Sequence, residues 1–314
     1  MCTAIRFGAS VGRNLDVYKG YGEEVIITPR EYSIALRCEE NIANHYAMIG
    51  IGTVSRGFPL YFDAVNEHGL YMAGLNYVGN AHYLKMREDK RSLAPFELIP
   101  YILGVCRTVE DAERELSKIN LIDLPFSREL PNAELHWIVA DKERAITVEP
   151  DADGLNIYNN PIGVLTNNPS FPYHILRLGD YATLSPDRPA NRIVPELRLN
   201  FYSEGMGAIG LPGDLSSSSR FIRATFHTSH HRGGGVTDLF HLLASVEMPD
   251  GSVKVGDLYE RTEYTAVADL ITSDYYYRTY DGAGIVTLRL SSENLDTPLL
   301  IRHPMLRTSP VIQN

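Results

Sequence analysis

A cysteine directly after a starting methionine holds the parts of a complete acyl-transfer unit. Removal of Met1 would leave the Cys2 thiol and its own α-amine on adjacent carbons. An ordinary free α-amine titrates at about 7.7–8.0, so part of it is neutral near pH 7. It can accept the thiol proton and later protonate a leaving amine, so one residue supplies both nucleophile and base. A cation beside the sulfur favours thiolate, and a carboxylate beside the amine orients it. Arg13 and Asp16, in the run Gly12-Arg13-Asn14-Leu15-Asp16, are close enough in sequence to return to Cys2 through a β-hairpin. Because they are three residues apart, a regular strand points them to opposite faces. A bend or bulge is therefore expected if both are to face the thiol. On residue types alone this is a weak signal. A second-position cysteine is usually incidental, and Arg13 and Asp16 read by default as a surface arginine and a turn aspartate.

The elements that must position these residues follow from periodicity. Residues 1–80 read mostly as β. Ala47 to Val54 is a buried-strand run, and Pro59–Asn66 and Leu70–Tyr77 flank the break Glu67-His68-Gly69 as a hairpin. Residues 92–120 read as helical, with Phe96, Ile99, Ile102, Leu103 and Cys106 on one face. Thr108 opens a second helix there, with Asp111 three residues on, as in a capping box. Strands return at Leu135–Asp141, Ala145–Glu149 and Gly163–Thr166. Helices follow the serines 216–219 and Gly233-Gly234-Gly235. Late strands are expected at Thr262–Asp269, Tyr275–Tyr280 and Gly284–Leu290. This order is α+β, and it fits stacked layers better than alternating βαβ units.

Bulk properties exclude several classes. The 314 residues are 44% hydrophobic, enough for a well-buried core. A net charge of −10 argues against nucleic-acid or anionic-membrane binding, both of which need basic patches. No apolar run is long enough to span a bilayer, and no basic-then-apolar leader precedes the body of the chain. Three cysteines make a poor disulfide scaffold and suit a reducing cytoplasm. No linker divides the chain, so a single domain over 1–314 is expected, with residues from about 297 to 314 as a proline-containing extension or oligomer contact. The glycine-containing stretch 200–212 is a loop that could lie near a binding site.

Several segments, in register from residue 1 to about 221, together resemble the choloylglycine hydrolase family, which contains bile salt hydrolases and penicillin V acylases. They are Met1–Ile5, Gly12–Asp16, Asn66–Leu70, Ala73–Asn76, Leu135-His136-Trp137, Leu165–Pro169, and Leu211–Asp214 leading to Ser216–Phe221. Weaker similarity, such as Glu260-Arg261-Thr262, continues to about 290. The resemblance implies an N-terminal-nucleophile hydrolase: a four-layer αββα sandwich of two antiparallel sheets, with Met1 removed. It assigns Cys2 as nucleophile, Arg13 near the thiol, Asp16 on the amine, Asn76 and Asn167 at the oxyanion hole, and Arg220 in the polar network. No cofactor is implied. The substrate would be a bile acid joined by an amide to glycine or taurine, and a homo-oligomer, a tetramer in particular, is expected. Asn76, rather than a tyrosine, favours bile salts over penicillin V or other N-acyl amides. A non-catalytic bile-acid-binding homologue is the alternative from another class. The turn between Phe7 and Gly12 is shorter than the resemblance leads one to expect, and a register slip there would misaim Arg13 or Asp16. Ile5, Tyr18, Phe58, Tyr61 and Leu121–Pro125 are candidates for the steroid pocket.

Other constellations read as structural. His227, His230 and His231 have helical spacing, with His241 beyond, and could bind zinc; the following Arg232 and triple glycine suit a solvated helix end better. His68 and His136 read as packing residues, and Cys38 and Cys106 as core or incidental thiols. Gly233-Gly234-Gly235 lacks the lysine of a phosphate loop.

Overall fold

The computed structural model describes residues 1–282 and 284–307. The first strands are β1 (Cys2–Phe7), β2 (Ser10–Val17), β3 (Glu24–Thr28), β4 (Met48–Ser55), β5 (Phe58–Asn66) and β6 (Tyr71–Asn76). The α-helices are α1 (Leu98–Val105), α2 (Val109–Leu116), α3 (Phe171–Arg177), α4 (Ser217–His230) and α5 (Val236–Ala244). A seven-stranded sheet runs in the order Val164–Leu165, β1, β2, Leu258–Asp269, Asp274–Thr279 and Val286–Arg289, with Val253–Val255 paired to the long strand. An eight-stranded sheet runs Gly154–Asn159, Ala145–Asp151, Leu135–Ala140, β6, β5, β4, β3 and Ile301–Pro304.

Side-chain alternation stacks these layers. On β6, Tyr71, Ala73 and Leu75 join the core between the sheets, while Met72 joins Leu98, Ile102 and Leu116 under α1 and α2. Residues 137–140 alternate in the same way: Trp137 and Val139 face α1 and α2, and Ile138 and Ala140 face inward. On the other side, Phe221, Ile222, Leu239 and Leu243 of α4 and α5 pack on the seven-stranded sheet. The result is an αββα sandwich.

The β1–β2 hairpin, the expected weak point, closes without a slip. Register runs unbroken from Cys2↔Leu15 to Phe7↔Ser10, leaving Gly8 and Ala9 as a two-residue turn. Gly8 has φ +60°, the left-handed conformation that such hairpins place on glycine. The irregularity lies instead on the neighbouring strand, where the register against β2 shifts between Thr262 and Tyr264.

The structure corrects other expectations. The helical block 92–120 is narrower, because Arg91–Leu93 and Ile119–Leu121 pair as short parallel strands around α1 and α2. Thr108 does cap α2, its hydroxyl accepting from the Asp111 amide at 3.2 Å. The C-terminal stretch is not loose throughout. Ile301–Pro304 pairs with β3 as an edge strand, where proline is tolerated. The last part of the expected extension, 308–314, lies outside the described residues. The strand Gly154–Asn159 and helix α3 were not anticipated.

Candidate active site

Parity along β2 decides what meets Cys2. Arg13 and Leu15 point between the sheets, while Asn14 and Asp16 point toward α4 and α5. The Asn14 side chain donates to the Leu243 carbonyl of α5 at 2.9 Å. No bulge in β2 is needed, because sulfur and amide nitrogen of Cys2 are served from opposite faces. Arg13 Nη2 donates to Cys2 Sγ at 2.7 Å on one side. Asp16 lies on the other, with Arg220 and Thr262. The two side chains thus point to opposite faces, as a regular strand requires.

Arg13 is fully buried. Its Nη1 donates to the Phe62 and Gly74 carbonyls at 3.0 and 2.8 Å. Burial works against its charge, but the Cys2 sulfur, Tyr264 and Asp63 outweigh that, so the guanidinium is held above its usual value. A fixed cation at this distance stabilises a thiolate.

Asn167 gathers the rest. Its Oδ1 accepts from Cys2 N at 2.9 Å and from Arg220 Nη2 at 2.8 Å, while its Nδ2 donates to the Asn76 carbonyl at 2.8 Å. Arg220 Nη1 donates to the Cys2 carbonyl at 2.6 Å and to the Thr3 hydroxyl, and it lies 3.8 Å from Asp16 Oδ2. Burial raises the Asp16 carboxyl, with Arg220, the chain terminus and the Thr262 hydroxyl pulling it back. Asp16 Oδ1 accepts from Thr262 at 2.6 Å, but the buried Oδ2 has no hydrogen-bond partner. Met1 is present here. Its carbonyl accepts from the Asp16 amide at 2.8 Å, and its ammonium pairs with Glu260 at 3.0 Å and with the Asp16 carbonyl.

All six residues singled out from sequence thus fall in one connected network. Asn76 joins it through its main chain, at the end of β6. Sequence reasoning missed the supports. Ser217 Oγ accepts from Asn167 N at 2.8 Å, and His174 Nε2 bonds the Asn167 carbonyl at 2.9 Å. The serine run had signalled only a helix start. The α4 amino terminus is held by Asp214, which takes the Ser216 amide at 3.0 Å and the Ser219 hydroxyl at 2.6 Å.

An apolar cavity of about 250 Å³ opens nearby, lined by Tyr21, Tyr61, Phe62, Phe96, Phe126 and Leu135 among others. Leu135 pairs with Asn76, and Phe62 supplies a carbonyl to Arg13, so the cavity adjoins the network. Of the steroid-pocket candidates only Tyr61 lines it. Phe58 lies behind, its ring 5.4 Å from that of Phe96. Ile5 is wholly buried on the face of β1 that meets α4 and α5. Tyr18 is exposed, Leu121 belongs to the core under α1 and α2, and the loop 200–212 is absent from the lining.

His227, His230, His231 and His241 line one surface pocket. His230 ends α4 with Nδ1 on the Phe226 carbonyl, and His231 turns away to Asp238 at 2.9 Å. Among the described residues no group of three or more His, Cys, Asp or Glu is arranged to hold an ion. His136 stacks on Tyr77 at 4.5 Å, and His68 packs edge-on to Tyr46.

The two facing antiparallel sheets between helical layers, with a cysteine opening the first strand, define the N-terminal-nucleophile hydrolase class. The chain belongs to the choloylglycine hydrolase family of linear amide C–N hydrolases, whose family profile matches residues 2–303. It is an amidohydrolase of that family. It is 46% identical to a bile salt hydrolase/transferase of Lactiplantibacillus plantarum over 97% of both chains. It is 35% identical to one from Bifidobacterium longum over 96% of this chain and 99% of that one. Among solved structures it superposes on a variant of conjugated bile acid hydrolase from Clostridium perfringens with TM-score 0.93, 30% identity and 99% coverage of both chains. Penicillin V acylase from Agrobacterium tumefaciens shares the fold, with TM-score 0.75 and 18% identity over 96% of this chain and 90% of that one.

Proposed function

We propose that this chain is a bile salt hydrolase that uses Cys2, freed from Met1, to cleave the amide of glycine- or taurine-conjugated bile acids. One observation carries the reading: Cys2 Sγ rests on a buried guanidinium while its nitrogen donates to Asn167 Oδ1, and Arg220 links that amide to the Asp16 carboxylate. Loss of Met1 turns that nitrogen into an amine, and Asp16 Oδ2, which makes no hydrogen bond, is the proposed acceptor for its new protons.

The steps follow. The amine takes the thiol proton as sulfur attacks the amide carbon. Charge moves to the carbonyl oxygen, where the Asn76 side-chain amide is the proposed donor. Asn167 also supports Asn76, because one N–H of its Nδ2 donates to the Asn76 carbonyl; the second N–H is a further proposed donor. The protonated amine then passes its proton to the leaving nitrogen, and the C–N bond breaks to give a thioester and free glycine or taurine. Water, deprotonated by the same amine, releases the bile acid and restores the thiol.

The steroid fits a cavity walled by aromatic and aliphatic side chains with a few polar groups. The unbroken β1–β2 register favours catalysis over the non-catalytic alternative, since Arg13 meets the sulfur. No helix among the described residues is long and apolar enough to cross a membrane; we propose a cytoplasmic homotetramer made of single-domain subunits.

The test is intact-mass analysis together with parallel assays on glycocholate, taurocholate and penicillin V. The expected result is a mass lacking Met1, release of glycine or taurine, and loss of release in Cys2→Ala. Turnover of penicillin V alone would overturn the substrate assignment.

A further inference from the structure

The Arg13 guanidinium is a buried charge whose nearest protein anchors, besides the sulfur, are two neutral carbonyls. An isolated buried cation is costly without a counter-charge. Asp63 is the wholly buried carboxylate at hand. It follows Phe62 on β5, and its cross-strand partner Ala73 precedes Gly74 on β6. It therefore sits one residue from each carbonyl that grips Arg13. Its own oxygens cross the inter-sheet space: Oδ1 accepts from the Tyr264 hydroxyl at 2.9 Å, and Oδ2 accepts from the Tyr275 hydroxyl. Both tyrosines come from the seven-stranded sheet, which also carries Arg13. Arg13 pairs with Ala266, two residues beyond Tyr264 and on the same face.

We propose that Asp63, clamped by the Tyr264 and Tyr275 hydroxyls, is the positioning residue that holds the Arg13 guanidinium against the Cys2 sulfur. The clamp fixes the distance between the sheets at the level of the thiol and places a counter-charge behind the cation. Two phenol donors on separate oxygens suit the ionised carboxylate. Burial holds this carboxyl above its usual range, with Arg13 and the hydroxyls of Tyr275 and Tyr264 acting against that rise. The proposal rests on Cys2 being the reacting group, and it adds a residue that touches neither substrate nor sulfur.

The experiment is a double-mutant cycle on the full-length mature enzyme. Turnover of glycocholate and the pH profile of Cys2 alkylation by iodoacetamide are both measured. Asp63→Asn is expected to lower kcat by about ten- to hundredfold, with KM within about threefold, and to move the alkylation midpoint by about half a pH unit or more. In an Arg13→Met background the same substitution should leave the alkylation profile unchanged, because its effect runs through Arg13. An equal shift in both backgrounds overturns the proposal, as does no shift in folded Asp63→Asn. If Asp63→Asn does not fold, the Tyr264→Phe/Tyr275→Phe pair removes the clamp's donors while keeping its rings, and the same outcomes decide. Failure of the nucleophile reading looks different: alkylated Cys2 would then leave turnover intact.

Discussion

Asn76 and Asn167 are neighbouring amides in one network, yet their removal should fail in different ways. The Asn76 side chain makes no hydrogen bond to another described residue; only its carbonyl is engaged, by Asn167. Asn76→Ala therefore removes the proposed donor to the oxyanion without orphaning any protein group. Loss of one such donor costs about 2.7–4 kcal/mol in the transition state, or about a hundred- to thousandfold in kcat. Thermal stability should stay within about 1 °C. Asn167→Ala strips acceptors from Cys2 N and Arg220 and a donor from the Asn76 carbonyl. Two or more of these groups stay buried without a partner, at about 1–3 kcal/mol each. For a chain of this length about 1 kcal/mol moves Tm by about 1.5 °C, so a fall of about 3–9 °C is expected. Turnover of glycocholate and a thermal melt on each purified variant provide the check. The reasoning fails if Asn76→Ala keeps kcat within about tenfold of the parent, or if it lowers Tm as much as Asn167→Ala does.

Asp16→Asn keeps the hydrogen bond from Thr262 but removes the charge beside buried Arg220, so it should lower kcat about tenfold or more and Tm by several degrees; an unchanged melt would show that Arg220 is balanced elsewhere. Burial holds the His174 imidazole down at about 4. The unfolded chain takes up that proton near pH 6.5 and binds more protons between these values, so stability present above about pH 6.5 is lost as pH falls toward 4. His174→Gln keeps a donor for the Asn167 carbonyl and should flatten this acid limb in thermal melts from pH 4 to 7; an unchanged slope refutes the assignment. A lysine inserted between Met1 and Cys2 should block methionine removal and abolish turnover, since the Cys2 nitrogen stays an amide; activity in a sample whose intact mass retains Met1 would contradict the mechanism.

Local pattern made much of the fold legible. The β5–β6 hairpin announced itself through two apolar runs around Glu67-His68-Gly69, and the α2 cap through Thr108 and Asp111. These are short-range signals in which neighbouring residues settle the outcome. The parallel pair Arg91–Leu93 and Ile119–Leu121 was hidden because three-residue strands have no period of their own; only the α1–α2 connection brings them together. The six site residues were named through the ordered motifs, since residue types alone left each one ambiguous. The cavity lining was mostly missed for a related reason. Phe96, Phe126 and Leu135 come from separate segments, and apolar residues bound for a cavity wall look like core in sequence.

The spacing of Arg13 and Asp16 shows what such a reading lacks. Three residues on a strand looked like a defect when both were required at one atom. In the folded chain it is the useful spacing, because a strand-initial cysteine offers two groups to two faces. Its sulfur belongs to the inter-sheet core, where Arg13 can be desolvated and braced by Asp63. Its nitrogen belongs to the helix-facing side, where Arg220 and Asn167 arrive from elements about two hundred residues away in the chain. Period-two alternation then keeps cation and carboxylate apart. Were Arg13 and Asp16 on one face, they would form an ion pair and leave neither the sulfur nor the amine its partner. Moving the acid to the arginine's face, by exchanging Leu15 and Asp16 (L15D together with D16L), should therefore abolish turnover even in protein that folds. Retained activity in that double variant would show that face, and with it strand parity, does not govern this site.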